Sequence, residues 1–239
     1  TNDSFSDSFK EKRRIGENDN YICELIRKDS VEEFITYYHK KNFKLTSKIQ
    51  KSVFETNPLL CRAQDTSLIE YAAFFGSFQI FQYLIMNDVQ LTLSLWPFSI
   101  HGKNAQIIHI LEENEIFPES DDKKNQYLFG QRMITYEVMF NHAIRCFHND
   151  IANYMHINYL EKYVENEKFC LKYFNFNYFP VEKDIKSFIH LLIEYYYYLL
   201  VKFILTENKE IDLNMKYISK LIFFSLMKFC VFVSIIMFH

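Results

Sequence analysis

Gly16, Gly76, Gly102 and Gly130 are the only glycines in 239 residues, and no two of them fall within a short window. Loops that cradle phosphate need several close glycines, so the dinucleotide fingerprint, the P-loop and the kinase Gly-rich loop are all excluded. Only four prolines accompany them, too few breakers for sandwiches or barrels built of many short strands. Apolar residues reach 49% and aromatics 18%, ample material for a buried core. The Phe, Tyr, Ile, Asn and Lys excess is also what AT-rich coding favours, and it reads as core filling rather than a cofactor box.

Charge adds little pull toward a polyanion. The net charge is -3, which predicts neither nucleic acid nor anionic lipid as a partner. Lys40, Lys41, Lys44, Lys48 and Lys51 form a local basic run, for which a solvated face competes with phosphate binding. The five cysteines (Cys23, Cys61, Cys146, Cys170, Cys230) are odd in number and lack a Cys-x-x-Cys pair, so reduced cytosolic thiols are expected and a cytoplasmic location with them. Residues 1–20 read as a polar N-terminal tail unlike a signal peptide. Thr1 in place of a Met reads as a fragment. The apolar segment 221–239, interrupted by Lys228, is just long enough to span a membrane. A mid-span Lys costs about 2.5 to 3.5 kcal/mol, and a packed final element is the competing reading.

Periodicity in the interior is helical. Ile22, Leu25 and Ile26, then Val31, Phe34 and Ile35, recur at three-four spacing around Lys28-Asp29-Ser30, which predicts a short helix pair. The clearest unit runs from Ser67 to Ile85. Ser67 with Glu70 forms a capping box, Ala72 and Ala73 make a thin face, and Gly76 falls where a left-handed residue should end the first helix. Ile80, Phe81, Leu84 and Ile85 supply the buried stripe of a second helix. A related unit follows 27 residues later, around Ser94, Trp96, Ser99-Ile100, Ile107-Ile108 and Leu111. There Lys103 replaces the glycine, and the neighbouring Gly102 is read as serving the same turn. Further units lie around Phe140, Ala143-Ile144, Ile151-Ala152 and Met155, and from Ser187 to Asn214.

The Ser67 unit resembles an ankyrin repeat, whose opening reads Thr-Pro-Leu-His-x-Ala-Ala. Ser67 stands at the Thr position, Ile69 at Leu, Glu70 at His, Ala72-Ala73 at the alanine pair and Leu84-Ile85 at the closing leucines. Leu68 departs from the Pro. Together with Ile26 to Phe34 and the spacer through Phe54 to Asn57, the chain resembles a large protist, trichomonad-type group of ankyrin-repeat proteins that carry a domain of unknown function. The resemblance implies an all-α, ankyrin-like helix-turn-helix repeat solenoid with shortened β-hairpin fingers, since 27 residues is below the usual period of about 33. Its expected organisation is a polar tail (1–20), a helical cap (21–63), repeats over 64–215 (67–92, 94–116, 137–160, 187–214) with an inserted loop near 117–130, and an apolar end (216–239). Turns lacking glycine are expected to rest on Asn104, Asn149 and Asp150.

The function this implies is a protein-protein interaction scaffold that binds another protein through the concave face, without catalysis or a cofactor. The candidate contacts are Phe74, Phe75, His101, Arg145 and Cys146 on first helices, and Asn87, Asp88 and Gln90 in the finger region; burial competes with contact for Phe74 and Phe75. The alternatives are a tail-anchored protein displaying repeats and an enzyme of another class. Several groups bear on the last. His142 and Cys146 share an i, i+4 face, but a structural zinc needs four ligands. His101 and His109 lack a companion nucleophile. Gly102-Lys103-Asn104 lacks the rest of a P-loop. The pairs Glu112-Glu113 and Asp121-Asp122 read as solvated, and Tyr195 to Tyr198 as a repeat surface rather than a base-stacking platform.

Overall fold

The computed structural model describes residues 6–62, 65–118, 128–129, 132–160, 167–179 and 188–207, in two compact units, Thr1–Tyr163 and Val164–His239. The described chain is all-α apart from one two-residue hairpin, β1 (Leu128–Phe129) with antiparallel β2 (Arg132–Met133). In the first unit, helix pairs follow one another: α2 (Tyr21–Arg27) with α3 (Val31–Lys41), α5 (Leu68–Phe75) with α6 (Phe78–Met86), α7 (Leu95–Gly102) with α8 (Ala105–Glu113), and α9 (Tyr136–Arg145) with α10 (Asn149–Tyr159). First helices pack on first helices, α2 on α5, α5 on α7 and α7 on α9, while α3 packs on α6 and α6 on α8. The second unit holds α11 (Glu167–Tyr173), a 3-10 turn (Phe176–Tyr178), α12 (Ile189–Glu194) and α13 (Tyr198–Glu207) around a core of Leu171, Leu192, Val201 and Ile204.

Local chemistry explains the elements. The Ser67 hydroxyl accepts from the Glu70 amide while the Glu70 carboxylate accepts from the Ser67 amide at 2.8 Å, so the capping box is complete. Glu70 also accepts from the Ser94 hydroxyl at 2.6 Å, tying this cap to the next pair. Gly76 closes α5 at φ +67°. Corresponding left-handed residues stand at Asp29, Lys103, Phe147 and Tyr196, with φ between 51° and 65°. After most of them the next amide bonds back five residues: Ser30 to Leu25, Ser77 to Ala72, His148 to Ala143 and Tyr197 to Leu192. These bonds satisfy carbonyls that a helix end otherwise leaves open. A left-handed conformation costs a non-Gly residue about 1 kcal/mol or more, and the Phe147 side chain is 54% exposed. Phe147→Gly should therefore raise unfolding stability by about 1 kcal/mol in a urea titration; a loss of stability would mean that the ring's packing outweighs the backbone cost.

The structure corrects the role assigned to Gly102. Lys103 itself takes the left-handed turn, at φ +52°, and Gly102 instead lets two helices touch. A Cβ on Gly102 would lie 2.1 Å from the Ala73 carbonyl oxygen and 2.8 Å from the Gly76 amide nitrogen. The thin Ala72-Ala73 face of α5 thus meets Gly102 of α7 backbone to backbone. Asn104 does not make the turn either: it caps α8, accepting from the Gln106 amide at 2.9 Å. Asn149 and Asp150 lie in the first turn of α10, and the preceding turn is carried by Phe147.

Two segments differ from the sequence-based organisation. Where a polar tail is expected, Asp7–Ile15 forms α1, started by the Ser6 hydroxyl and closed by Gly16 at φ +73°. Phe9 of α1 meets Phe54 edge-on at 5.3 Å, and Thr56 bonds the Gly16 carbonyl through both its amide and its hydroxyl. Within the expected helical cap (21–63), residues 42–57 form no α-helix, Pro58–Arg62 forms α4, and the segment joins the start of α5 through Ile49 amide to Thr66 carbonyl and Leu68 amide to Ser47 carbonyl. Between α6 and α7, residues 87–94 contain no strand. Ile211 to Asn214 and the apolar segment 221–239 lie outside the described residues.

Candidate functional site

The candidate face is built from the C-terminal ends of the first helices, because each left-handed turn brings the two residues before it to the same edge of the stack. Aligned on the turns, Arg27, Phe74, His101 and Arg145 occupy one position, and Lys28, Phe75, Gly102 and Cys146 the next. Phe74 and His101 stack ring on ring at 3.9 Å and 15°. Phe75 lies 4.8 Å from both Tyr71 and Phe74, with the Arg27 guanidinium over its outer face at 5.9 Å. Arg27 donates to the Asn18 carbonyl at 2.8 Å and the Tyr71 hydroxyl at 2.9 Å, and pairs with Glu17 at 2.9 Å.

Phe74 is not an exposed anchor. It is 3% exposed, because α5 is apolar nearly all round and such a helix is covered on every side. The spacer supplies part of that cover. Leu60 and Cys61 of α4 and Ile49 and Gln50 face Tyr71 across a cavity of about 160 Å³ that Asn18, Glu55 and Thr66 also line. Asn57 reaches the His101 ring at 3.5 Å. Phe75, His101 and Cys146 remain half-buried, Arg145 is exposed, and Asn87, Asp88 and Gln90 are exposed on the connection after α6.

Burial keeps the His101 and His142 rings and the Cys146 thiol of this edge uncharged near neutral pH. Burial lowers the His101 pKa below its usual value, and burial lowers that of His142 to about 4, helped by His101, Arg145 and His148. Burial pushes the Cys146 thiol up to about 11 and that of Cys23 to about 12, so both stay protonated and weakly nucleophilic. The His142 and Cys146 side chains do meet, Nε2 to Sγ at 3.7 Å. Among the described residues, no group of three or more His, Cys, Asp or Glu side chains is placed to hold a metal ion. His109 stands apart on α8, with its Nε2 3.1 Å from Glu113. The lysines of the basic run are all exposed, and Lys48 is engaged by the Asp65 carbonyl at 3.1 Å. Tyr195 to Tyr197 form the turn between α12 and α13, Tyr198 opens α13, and the Tyr197 hydroxyl donates to the Leu171 carbonyl at 2.6 Å.

Sequence patterns did not reveal the bonds that link one pair to the next. The Ser77 hydroxyl donates to the Ile26 carbonyl at 2.6 Å, Asn104 Nδ2 to the Gly76 carbonyl at 3.0 Å, and His148 Nε2 to the His101 carbonyl at 3.1 Å. Each donor directly follows a left-handed residue, so aligning the turns would have found them. Asn57 also carried a signal, since Asn before Pro58 is a helix start; its Oδ1 accepts from the Leu59 amide at 2.9 Å. Among the described residues no helix is long and apolar enough to cross a membrane. Searches for family models, curated proteins and solved structures that match the chain found none.

Proposed function

We propose that the chain is a protein-protein interaction scaffold built of ankyrin-like helix pairs with short loops, akin to the protist ankyrin-repeat group its sequence resembles. The supporting observation is the recurrence of one joint. Gly76 and Lys103 stand 27 residues apart, as do the starts of α5 and α7 and the left-handed Asp88 and Glu115 that end α6 and α8. After Asp29, Gly76 and Lys103 in turn, a side chain at the following turn bonds a carbonyl of the preceding pair. Such a stack is quasi-one-dimensional: each pair is held by its neighbours and leaves an edge along which a partner can lie.

In this reading the partner is another protein, contacted through Phe75, His101, Arg145 and Cys146 at the helix ends and Asn87, Asp88 and Gln90 on the α6–α7 connection. Aromatic and Arg side chains are the commonest anchors of such surfaces. The chain acts without catalysis or a cofactor. Affinity capture with the full chain and with a Phe75→Ala, Arg145→Glu variant tests this. The expected result is one stoichiometric protein, lost at least tenfold from a variant whose far-UV circular dichroism is unchanged. Equal recovery on both baits, or turnover of a small molecule abolished by His101→Ala, would overturn it.

A further inference from the structure

The geometry points to a proton-sensitive joint between α7 and α9, held closed by the neutral rings of His101 and His142 and loosened when these two take up protons. Three imidazoles converge there, each directed at the backbone of the preceding pair. His148 Nε2 donates to the His101 carbonyl at 3.1 Å, the His101 ring engages the Phe74 carbonyl, and the His142 ring engages that of Pro97.

The second nitrogen of two of these rings is held in the acceptor role. Asn57 Oδ1 is committed to the Leu59 amide at 2.9 Å, where it starts α4. Its amide group therefore faces His101 Nε2, at 3.5 Å. A proton on that nitrogen would set N–H against N–H, and Asn57 cannot invert without releasing α4. His142 Nε2 faces the Cys146 Sγ at 3.7 Å, and burial keeps that thiol protonated.

The charged surroundings oppose protonation as well. The charged or titratable groups acting on both His101 and His142 are Arg145 of α9 and His148 at the start of α10, and His101 acts on His142 as well. Lys103 and Asp150, at the same joint, pair with one another at 3.3 Å. On the α5 side His101 meets the Phe74 ring at 3.9 Å. A histidine whose folded pKa is depressed is protonated more readily in the open chain, so the joint is fully stable above about pH 6.5 and weakens as pH falls toward about 4. For His142 alone, moving the pKa from 6.5 to about 4 raises the open population about 30-fold at pH 5.

Amide hydrogen exchange read by mass spectrometry on the full chain, corrected for intrinsic rates, tests this. Between pH 7.5 and pH 5, opening of residues 136–159 should rise about 30-fold, while residues 68–86 change by less than threefold. His142→Gln should remove most of the increase, and His109→Gln on the outer flank of α8 should leave it intact. Uniform acceleration across both regions, an increase that persists in His142→Gln, or no acceleration at pH 5 would each overturn the inference. Should His142→Gln fail to fold, the regional contrast in the unsubstituted chain decides by itself.

Discussion

Gly102→Ala is expected to destabilise the first unit by roughly 3 kcal/mol, at the top of the usual range for overpacking. The added methyl would sit 2.1 Å from the Ala73 carbonyl oxygen and 3.2 Å from the Gly76 Cα. Backbone atoms cannot rotate away as a side chain does, so α5 and α7 must separate, and that separation strains the Asn104 bond to the Gly76 carbonyl. In a chain of this size the loss corresponds to a fall in Tm of about 6 to 12 °C. Gln106→Ala, at an exposed position of α8, serves as the matched control and should stay within about 0.5 kcal/mol. A melt of Gly102→Ala indistinguishable from that control would show that the helices do not approach as described.

Trp96→Ala should cost about 4 kcal/mol, within the range for deleting a large buried aromatic. Trp96 is the single tryptophan of the chain and is 0% exposed. Its ring lies 6.2 Å from Phe117 and 6.3 Å from Tyr159, and its indole N–H donates to the Ile116 carbonyl. Truncation removes the ring contacts and leaves that carbonyl without its donor, so two costs add. Urea titration followed by circular dichroism measures the change. The unsubstituted chain should also show a blue-shifted fluorescence maximum that moves red on unfolding. A cost under 1 kcal/mol, or an emission maximum already typical of water, would contradict the burial of this helix.

Features governed by neighbours in sequence were legible beforehand. The Ser67–Glu70 box, the Gly76 turn and the buried stripe of Ile80, Phe81 and Leu84 each depend on residues within one or two turns of helix, and the structure contains all three. What lay hidden depends on residues far apart in the chain. Gly102 looks like a misplaced turn glycine until the Ala73 carbonyl, 29 positions earlier, is seen against it. Phe74 and Phe75 are adjacent and alike in type; only the spacer and the His101 ring decide that the first is covered while the second keeps an edge. Lys103 and Phe147 take left-handed turns that propensity disfavours, because the carbonyls at the helix end and the packing of the following helix require the chain to reverse there.

The candidate face was legible in the same uneven way. The helix-end positions follow from the spacing of the left-handed turns alone. That Asn57 would reach across to His101, and that Ile49, Gln50, Leu60 and Cys61 would face Tyr71, follows from a spacer whose path no local pattern dictates.

A photo-crosslinker at position 75, compared with one at position 82 on the exposed side of α6, tests the scaffold reading most directly. The first site lies on the helix-end edge and the second on the second-helix layer. The account predicts a covalent adduct to one partner protein from position 75 and none from position 82. Adducts from position 82 alone, or from neither position in cells where the chain is abundant, would contradict it.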